Sequence, residues 1–124
     1  MTTLLINLTD QRTAYVPGEA ITGTVHWTGG SAPRALELRL FWFTQGKGTQ
    51  DVGVVKRLPI PVLADGEVHP FDLRAPAHPP SCSGKLVSIV WALELVATPA
   101  ASVPRSVLVI GPGGRELRLG TAGP

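Results

Sequence analysis

Apolar and polar residues alternate with a period of two through most uninterrupted stretches of this chain. That spacing sends successive side chains to opposite faces of a β-strand. In residues 34–45, Leu36, Leu38, Leu40 and Trp42 share one parity while Glu37 and Arg39 hold the other, which predicts a strand with one face on a core. Phe41 and Phe43 fall on the polar parity. The end of this strand is therefore expected to be covered on both faces or to carry an exposed apolar contact patch. In residues 85–98, Val87, Ile89, Trp91, Leu93 and Leu95 alternate with Ser88, Val90, Ala92, Glu94 and Val96. A second long strand is the preferred reading, although a helical stripe through Leu86, Val90, Leu93 and Ala97 also fits.

Shorter runs at 4–9, 20–28, 52–63, 68–75, 103–110 and 116–119 complete the set, with the strong strand patterns placing Trp27, Trp42 and Trp91 in the core. Between them lie Gly29-Gly30-Ser31, Gly46-Lys47-Gly48, Ala64-Asp65-Gly66 and Gly111-Pro112-Gly113-Gly114, residues that supply the positive or preset φ of chain reversals. The last of these reads as a hairpin. Twelve prolines and 14 glycines spread along 124 residues leave few windows long enough for a helix. The prediction is an all-β protein, an immunoglobulin-like antiparallel sandwich of about seven or eight strands. Residues 1–119 are expected to form one domain and 120–124 a flexible tail; residues 75–80, Ala-Pro-Ala-His-Pro-Pro, form an extended loop.

Tyr15-Val16-Pro17-Gly18-Glu19, followed by Ile21, Gly23 and Val25, resembles the opening of arrestin-type N-terminal domains. Its physical content is a tight turn, with Pro17 presetting φ, Gly18 free to take the left-handed region and the Tyr15 ring packed beneath. Downstream, His69-Pro70-Phe71-Asp72-Leu73-Arg74-Ala75-Pro76 resembles that family's "P-F-x-F-x-x-P" strand. Pro80-Ser81-Cys82-Ser83-Gly84, read as a hydroxyl-capped turn leading into Val87 to Leu93, is similar to its "P-S-x-x-G, then I-x-Y-x-L" segment. The three pieces keep order and spacing over roughly residues 4 to 110, and the chain is identified on them as an arrestin-like domain, of the arrestin N-terminal or sporulation-control type. Tyr15, Pro17, Gly18, Glu19, Gly23, Pro70, Phe71, Pro76, Ser81 and Gly84 carry the fold motif. Such proteins usually hold two sandwiches in tandem and this chain has room for one, so the resemblance implies a homodimer or docking on a partner sandwich. The first strand, Leu4-Leu5-Ile6-Asn7-Leu8, lacks the lysines with which receptor arrestins sense phosphate, and Pro79-Pro80-Ser81-Cys82 is not a PPxY motif. Receptor, phosphate and ubiquitin-ligase recognition are not carried over.

Apolar residues reach 44% against 16% charged, a balance outside the disordered class and one that points to a buried partner surface. The net charge of +2 comes from basic residues spread along the chain, whereas nucleic-acid binding needs them concentrated; no nucleic-acid partner is expected. One cysteine, Cys82, gives no internal disulfide, and no stretch is apolar enough to span a bilayer, so a cytoplasmic location follows by default. His26, His69 and His78 are not at metal-ligand spacing with one another or with Cys82. No nucleophile and base, carboxylate pair or phosphate-binding loop stands out, so neither cofactor, metal nor catalytic residue is assigned. The expected function is a noncatalytic protein-protein interaction or scaffold module, working through exposed sheet edges that can accept a strand from another chain and through Phe41, Phe43, Gln45, Lys47 and His78 in and beside the 44–50 and 76–83 loops. A small-ligand or carbohydrate-binding sandwich using exposed Trp and His is the alternative, and a hydrolase built on Cys82 or a histidine the third reading.

Overall fold

Ten strands follow one another in the computed structural model, which describes residues 2–46, 50–84, 87–99 and 103–118. They are β1 (Thr3–Leu8), β2 (Ala14–Tyr15), β3 (Ala20–Thr28), β4 (Ala35–Gly46), β5 (Val52–Ile60), β6 (His69–Arg74), β7 (Cys82–Ser83), β8 (Val87–Thr98), β9 (Arg105–Ile110) and β10 (Leu117–Arg118). Seven of them have six residues or more, and no α-helix occurs among the described residues. The expected all-β sandwich is what the chain forms. Residues 85–98 enter as strand from Val87 onward, not as helix; Lys85, Leu86, Lys47 and the 120–124 tail lie outside the described residues.

One sheet has the order β1-β3-β6, antiparallel throughout. The other centres on the long strands β4 and β8, which pair over all twelve residues of each. β5 takes the free side of β4 and forms an edge. On the far side of β8, β7 pairs with Ile89 and Ser88 and β9 with Trp91 to Glu94, so two short strands share one long edge. β2 and β10 then add in parallel to β9 and β7 respectively.

Alternation builds the core between the sheets. Ile21, Val25 and Trp27 of β3 with Phe71 and Leu73 of β6 meet Leu36, Leu38 and Leu40 of β4 and Trp91, Leu93 and Leu95 of β8 in one cluster. Trp91 is fully buried and donates its indole N–H to the Pro79 carbonyl at 2.7 Å; buried Trp27 does the same to Leu63 at 3.0 Å. Buried indoles require such partners. Trp42 departs from the expectation of full burial: it is half-buried, at the margin of the core, with its ring lying over Gly53 of β5 where any Cβ would collide.

The motif residues have structural work. The Val16–Glu19 turn closes through Glu19 N–H to the Val16 carbonyl, with Gly18 at φ 84°, a conformation that favours glycine. The Glu19 carboxylate accepts the Val16 N–H at 2.9 Å and pairs with Arg12. The Arg12 hydrogen bond, then the Val16 amide, hold this carboxyl below the ordinary glutamate range. Gly18 and Glu19 also exchange backbone bonds with Ala75, next to Pro76, tying the turn to the end of β6. Gly23 lies where a Cβ would strike the Asn7 carbonyl and the Phe71 ring. Tyr15 is buried, donates its hydroxyl to the Arg12 carbonyl at 2.8 Å and carries the Arg12 guanidinium over its ring at 4.6 Å.

Three sequence expectations are corrected. The 52–63 run leaves the sheet after Ile60, before Pro61. Ser81 to Gly84 is not simply a turn: Cys82 and Ser83 form β7, and the buried Ser81 hydroxyl accepts the Ile110 N–H at 2.9 Å. Gly111 to Gly114 is a 3-10 turn rather than a hairpin, because β10 crosses to pair in parallel with β7 instead of folding back on β9.

Candidate functional site

The register of the larger sheet assembles one apolar patch on its outer face. Phe41 lies opposite Ala92 on β8 and Val54 on β5; Phe43 lies opposite Val90 and Val52; Val107 of β9 lies beyond Ala92. Residues directly opposite in a ladder share a face. One step along the strands, Arg39, Glu94 and Arg105 form a charged row bordering the patch, with Arg57 beyond Arg39. Between Leu40 and Phe41 the register of β5 slips by one, leaving Val55 unpaired, so Val54 and Val52 come onto the same face as the phenylalanines.

Phe41 and Phe43 stand with ring centroids 5.9 Å apart. The Arg105 guanidinium lies over both, at 5.2 and 5.1 Å from the centroids, and donates to Glu94 Oε1 at 2.7 Å. It is thus held between a carboxylate and two π faces, each attractive to a cation. Phe41 is 4% exposed and Phe43 half-buried, whereas Val52 is 64%, Val107 53% and Val54 39% exposed. Part of what lies over Phe41 is a side chain, that of Arg105, rather than backbone or another strand. Glu37, on the same face, accepts from Arg39 at 2.9 Å and Arg57 at 3.4 Å; the Arg39 bond chiefly holds its carboxyl below the ordinary range.

Two adjoining hollows open on this face. The larger, about 410 Å³, has Phe41, Phe43, Val52 and Val54 in its wall with Arg39 and Arg105. The smaller, about 220 Å³, shares Phe43 and Gln45 with it and continues to Val90 and Val107. Phe41, Phe43 and Gln45 are therefore brought together. His78 is exposed in the loop before β7 and lines neither hollow, and Lys47 lies outside the described residues. Arg105, Glu94, Val107, Val52 and Val54 were missed. Each is ordinary in its own strand, and only cross-strand register makes them neighbours of the phenylalanines.

Elsewhere the chemistry is sparse. The Cys82 thiol is buried in β7, and Trp27 and Trp91 are buried, so neither offers the exposed indole of a sugar platform. Among the described residues no three of His, Cys, Asp and Glu gather as a metal site, and no helix is long and apolar enough to cross a membrane.

No family model and no curated protein matches the chain. Among solved structures, the sporulation control protein Spo0M from Bacillus subtilis is similar, with a TM-score of 0.64 and 22% identity over 90% of this chain. The chain spans 49% of that protein's length. An ApaA protein from Bordetella pertussis is matched over 90% of this chain and 93% of its own at 14% identity, with a TM-score of only 0.32. The likeness to Spo0M supports the arrestin-like fold.

Proposed function

We propose that this chain is a noncatalytic interaction module that binds protein through the outer face of its larger sheet. The observation that carries this reading is the Arg105 side chain laid over Phe41 and Phe43, beside exposed Val52, Val54 and Val107. Aromatic and arginine side chains around a small apolar centre are the composition of binding hot spots. A partner side chain entering the 410 Å³ hollow meets an apolar wall and a rim of guanidinium and carboxylate. The Spo0M fold, a control protein by its description, fits a regulatory or scaffold role; we place that role in the cytoplasm, with residues 1–119 acting as one sandwich. We further propose that the sandwich works as a pair, with a second copy or a partner sandwich beside it.

Affinity capture from the native cell extract tests the binding face. Wild-type protein is expected to retain a partner that Phe43→Ser and Val107→Asp both lose, with circular dichroism unchanged. Identical captured proteins for all three would remove this face from the interface.

A further inference from the structure

We infer that two copies of this chain associate by antiparallel pairing of their β5 edges about Val54, extending the larger sheet across a two-fold axis. The inference deepens the reading of the chain as an interaction module by naming one partner, a second copy, and a second surface, the sheet edge.

β5 is the last strand on its side of the larger sheet, and an edge strand presents unpaired backbone groups to any extended chain. Its two halves differ. The half after the register slip carries Lys56, Arg57 and Pro59, and the slip itself leaves Val55 unpaired. Bulges, cations and proline are the devices that block edge pairing. The first half, Val52-Gly53-Val54, has none of them, and Val52, Val54 and Val55 are 64%, 39% and 46% exposed. Pairing competence is thus confined to a short segment at the start of the strand.

Charge selects the register within that segment. A closed two-fold contact sets the residue on the axis against its own copy and makes every other contact twice, residue i against j and j against i. Centring the pair on Lys56 would oppose cations to cations, which is destabilising. Centring it on Val54 sets Val54 against Val54 of the second copy and Asp51 of each copy against Arg57 of the other, with Lys56 one residue further along, twice by symmetry; within its own chain Arg57 reaches only Glu37, at 3.4 Å, among the described residues. Among the described residues neither Asp51 nor Lys56 has an ion-pair partner within the chain. The same arrangement brings the two outer-face patches together across the axis, since Val52 and Val54 lie opposite Phe43 and Phe41. A ladder this short falls at the low end of interface size, below roughly 1,200 Å², so the dimer is expected to dissociate on dilution.

Sedimentation equilibrium of the wild-type chain across the micromolar range, with hydrogen exchange at the amides of residues 52–55, provides the test. The expected result is a concentration-dependent rise to twice the monomer mass, with slower exchange at those amides in the dimer. Val54→Lys, which opposes two cations on the axis, is expected to leave only monomer. Asp51→Lys is expected to weaken association at least tenfold, and Asp51→Lys combined with Lys56→Asp and Arg57→Asp to restore it. A wild-type monomer at every concentration overturns the inference, as does a dimer that survives Val54→Lys, or one that fails to recover in the triple variant. A wild-type chain that stays monomeric yet captures a partner lost on Phe43→Ser would overturn edge pairing alone; a wild-type chain that dimerises, and loses the dimer in Val54→Lys, yet captures no partner lost on Phe43→Ser would overturn the binding-face reading alone.

Discussion

The two sheets turn the same core inward and different chemistry outward. On the smaller sheet, the outward residues of β3 are Thr22, Thr24, His26 and Thr28, flanked by Asn7 of β1 and Asp72 of β6. The threonines are β-branched residues with polar hydroxyls that suit a solvated strand face, while His26 has its Nδ1 buried without a hydrogen-bond partner among the described residues. On the larger sheet the corresponding positions are Phe41, Phe43, Val54, Ala92 and Val107, bordered by Arg39, Glu94 and Arg105. Both strands β3 and β4 obey the period-two rule, but only β4 ends with apolar residues on both parities. A sandwich needs one apolar face per sheet; a second apolar face on one sheet is surplus to folding and is the place to look for binding.

Matched truncations on the two outer faces break the comparison most sharply. Phe41→Ala removes a ring that is 4% exposed and is expected to cost about 3 kcal/mol, the lower end of buried Phe→Ala losses. Thr24→Ala, in the middle of β3, is expected to change stability by less than about 0.5 kcal/mol. Urea unfolding of both variants measures the difference; equal losses would mean that the larger sheet's outer face is no more a packed unit than the smaller one's.

Much of this architecture is legible from residue spacing. Leu36, Leu38 and Leu40 declare their strand and its inward face through a two-residue period; Trp91, Leu93 and Leu95 carry the same period, but a helical stripe through Leu86, Val90, Leu93 and Ala97 competes with it until the pairing with β4 is known. The tight turn at Val16–Glu19 is equally local: Pro17 and Gly18 suffice to specify it. What spacing does not carry is pairing between distant strands. Nothing near Arg105 marks it as the cover of Phe41, since 64 residues of chain separate them and only the β4-β8-β9 register joins them. The crossing of β10 to β7 was hidden for the same reason, the glycine-rich segment 111–114 being equally suited to a hairpin. Phe41 and Phe43 could be flagged as anomalous from their parity, yet whether another strand, a loop or a side chain covered them depended on that long-range register.

Removing the cover sharpens the contrast between the faces without disturbing the backbone. Arg105 is largely a surface residue, so Arg105→Ala is expected to lower stability by only about 0.5–1 kcal/mol, the scale of an exposed cation–π contact. Its larger consequence is exposure of the Phe41 and Phe43 rings. Binding of an apolar fluorescent dye is expected to rise several-fold over wild type, while Arg74→Ala, on β6 of the polar sheet, leaves it unchanged. No rise in the Arg105 variant would show that the rings are covered by the sheet itself.

The smallest effect is electrostatic and isolates the charged border. Glu37 is held below the ordinary 4.5 by its hydrogen bond to Arg39, with Arg57 adding to it. A carboxyl with a lowered pKa in the folded state binds fewer protons there than in the unfolded chain. Its stabilising contribution is therefore complete above about 4.5 and disappears as the pH falls through the folded value. Glu37→Gln removes that contribution, worth under about 1 kcal/mol for a partly exposed pair, so its Tm lies slightly below wild type at neutral pH and the two converge on acidification. Glu19, lowered by Arg12 and by the Val16 amide at the turn between β2 and β3, still titrates in the variant and keeps part of the acid slope. Thermal unfolding of both proteins from neutral pH down through the carboxylate range measures the gap; a gap that widens in acid would mean that Glu37 is better stabilised protonated than ionised, and that the charged row does not brace the apolar face.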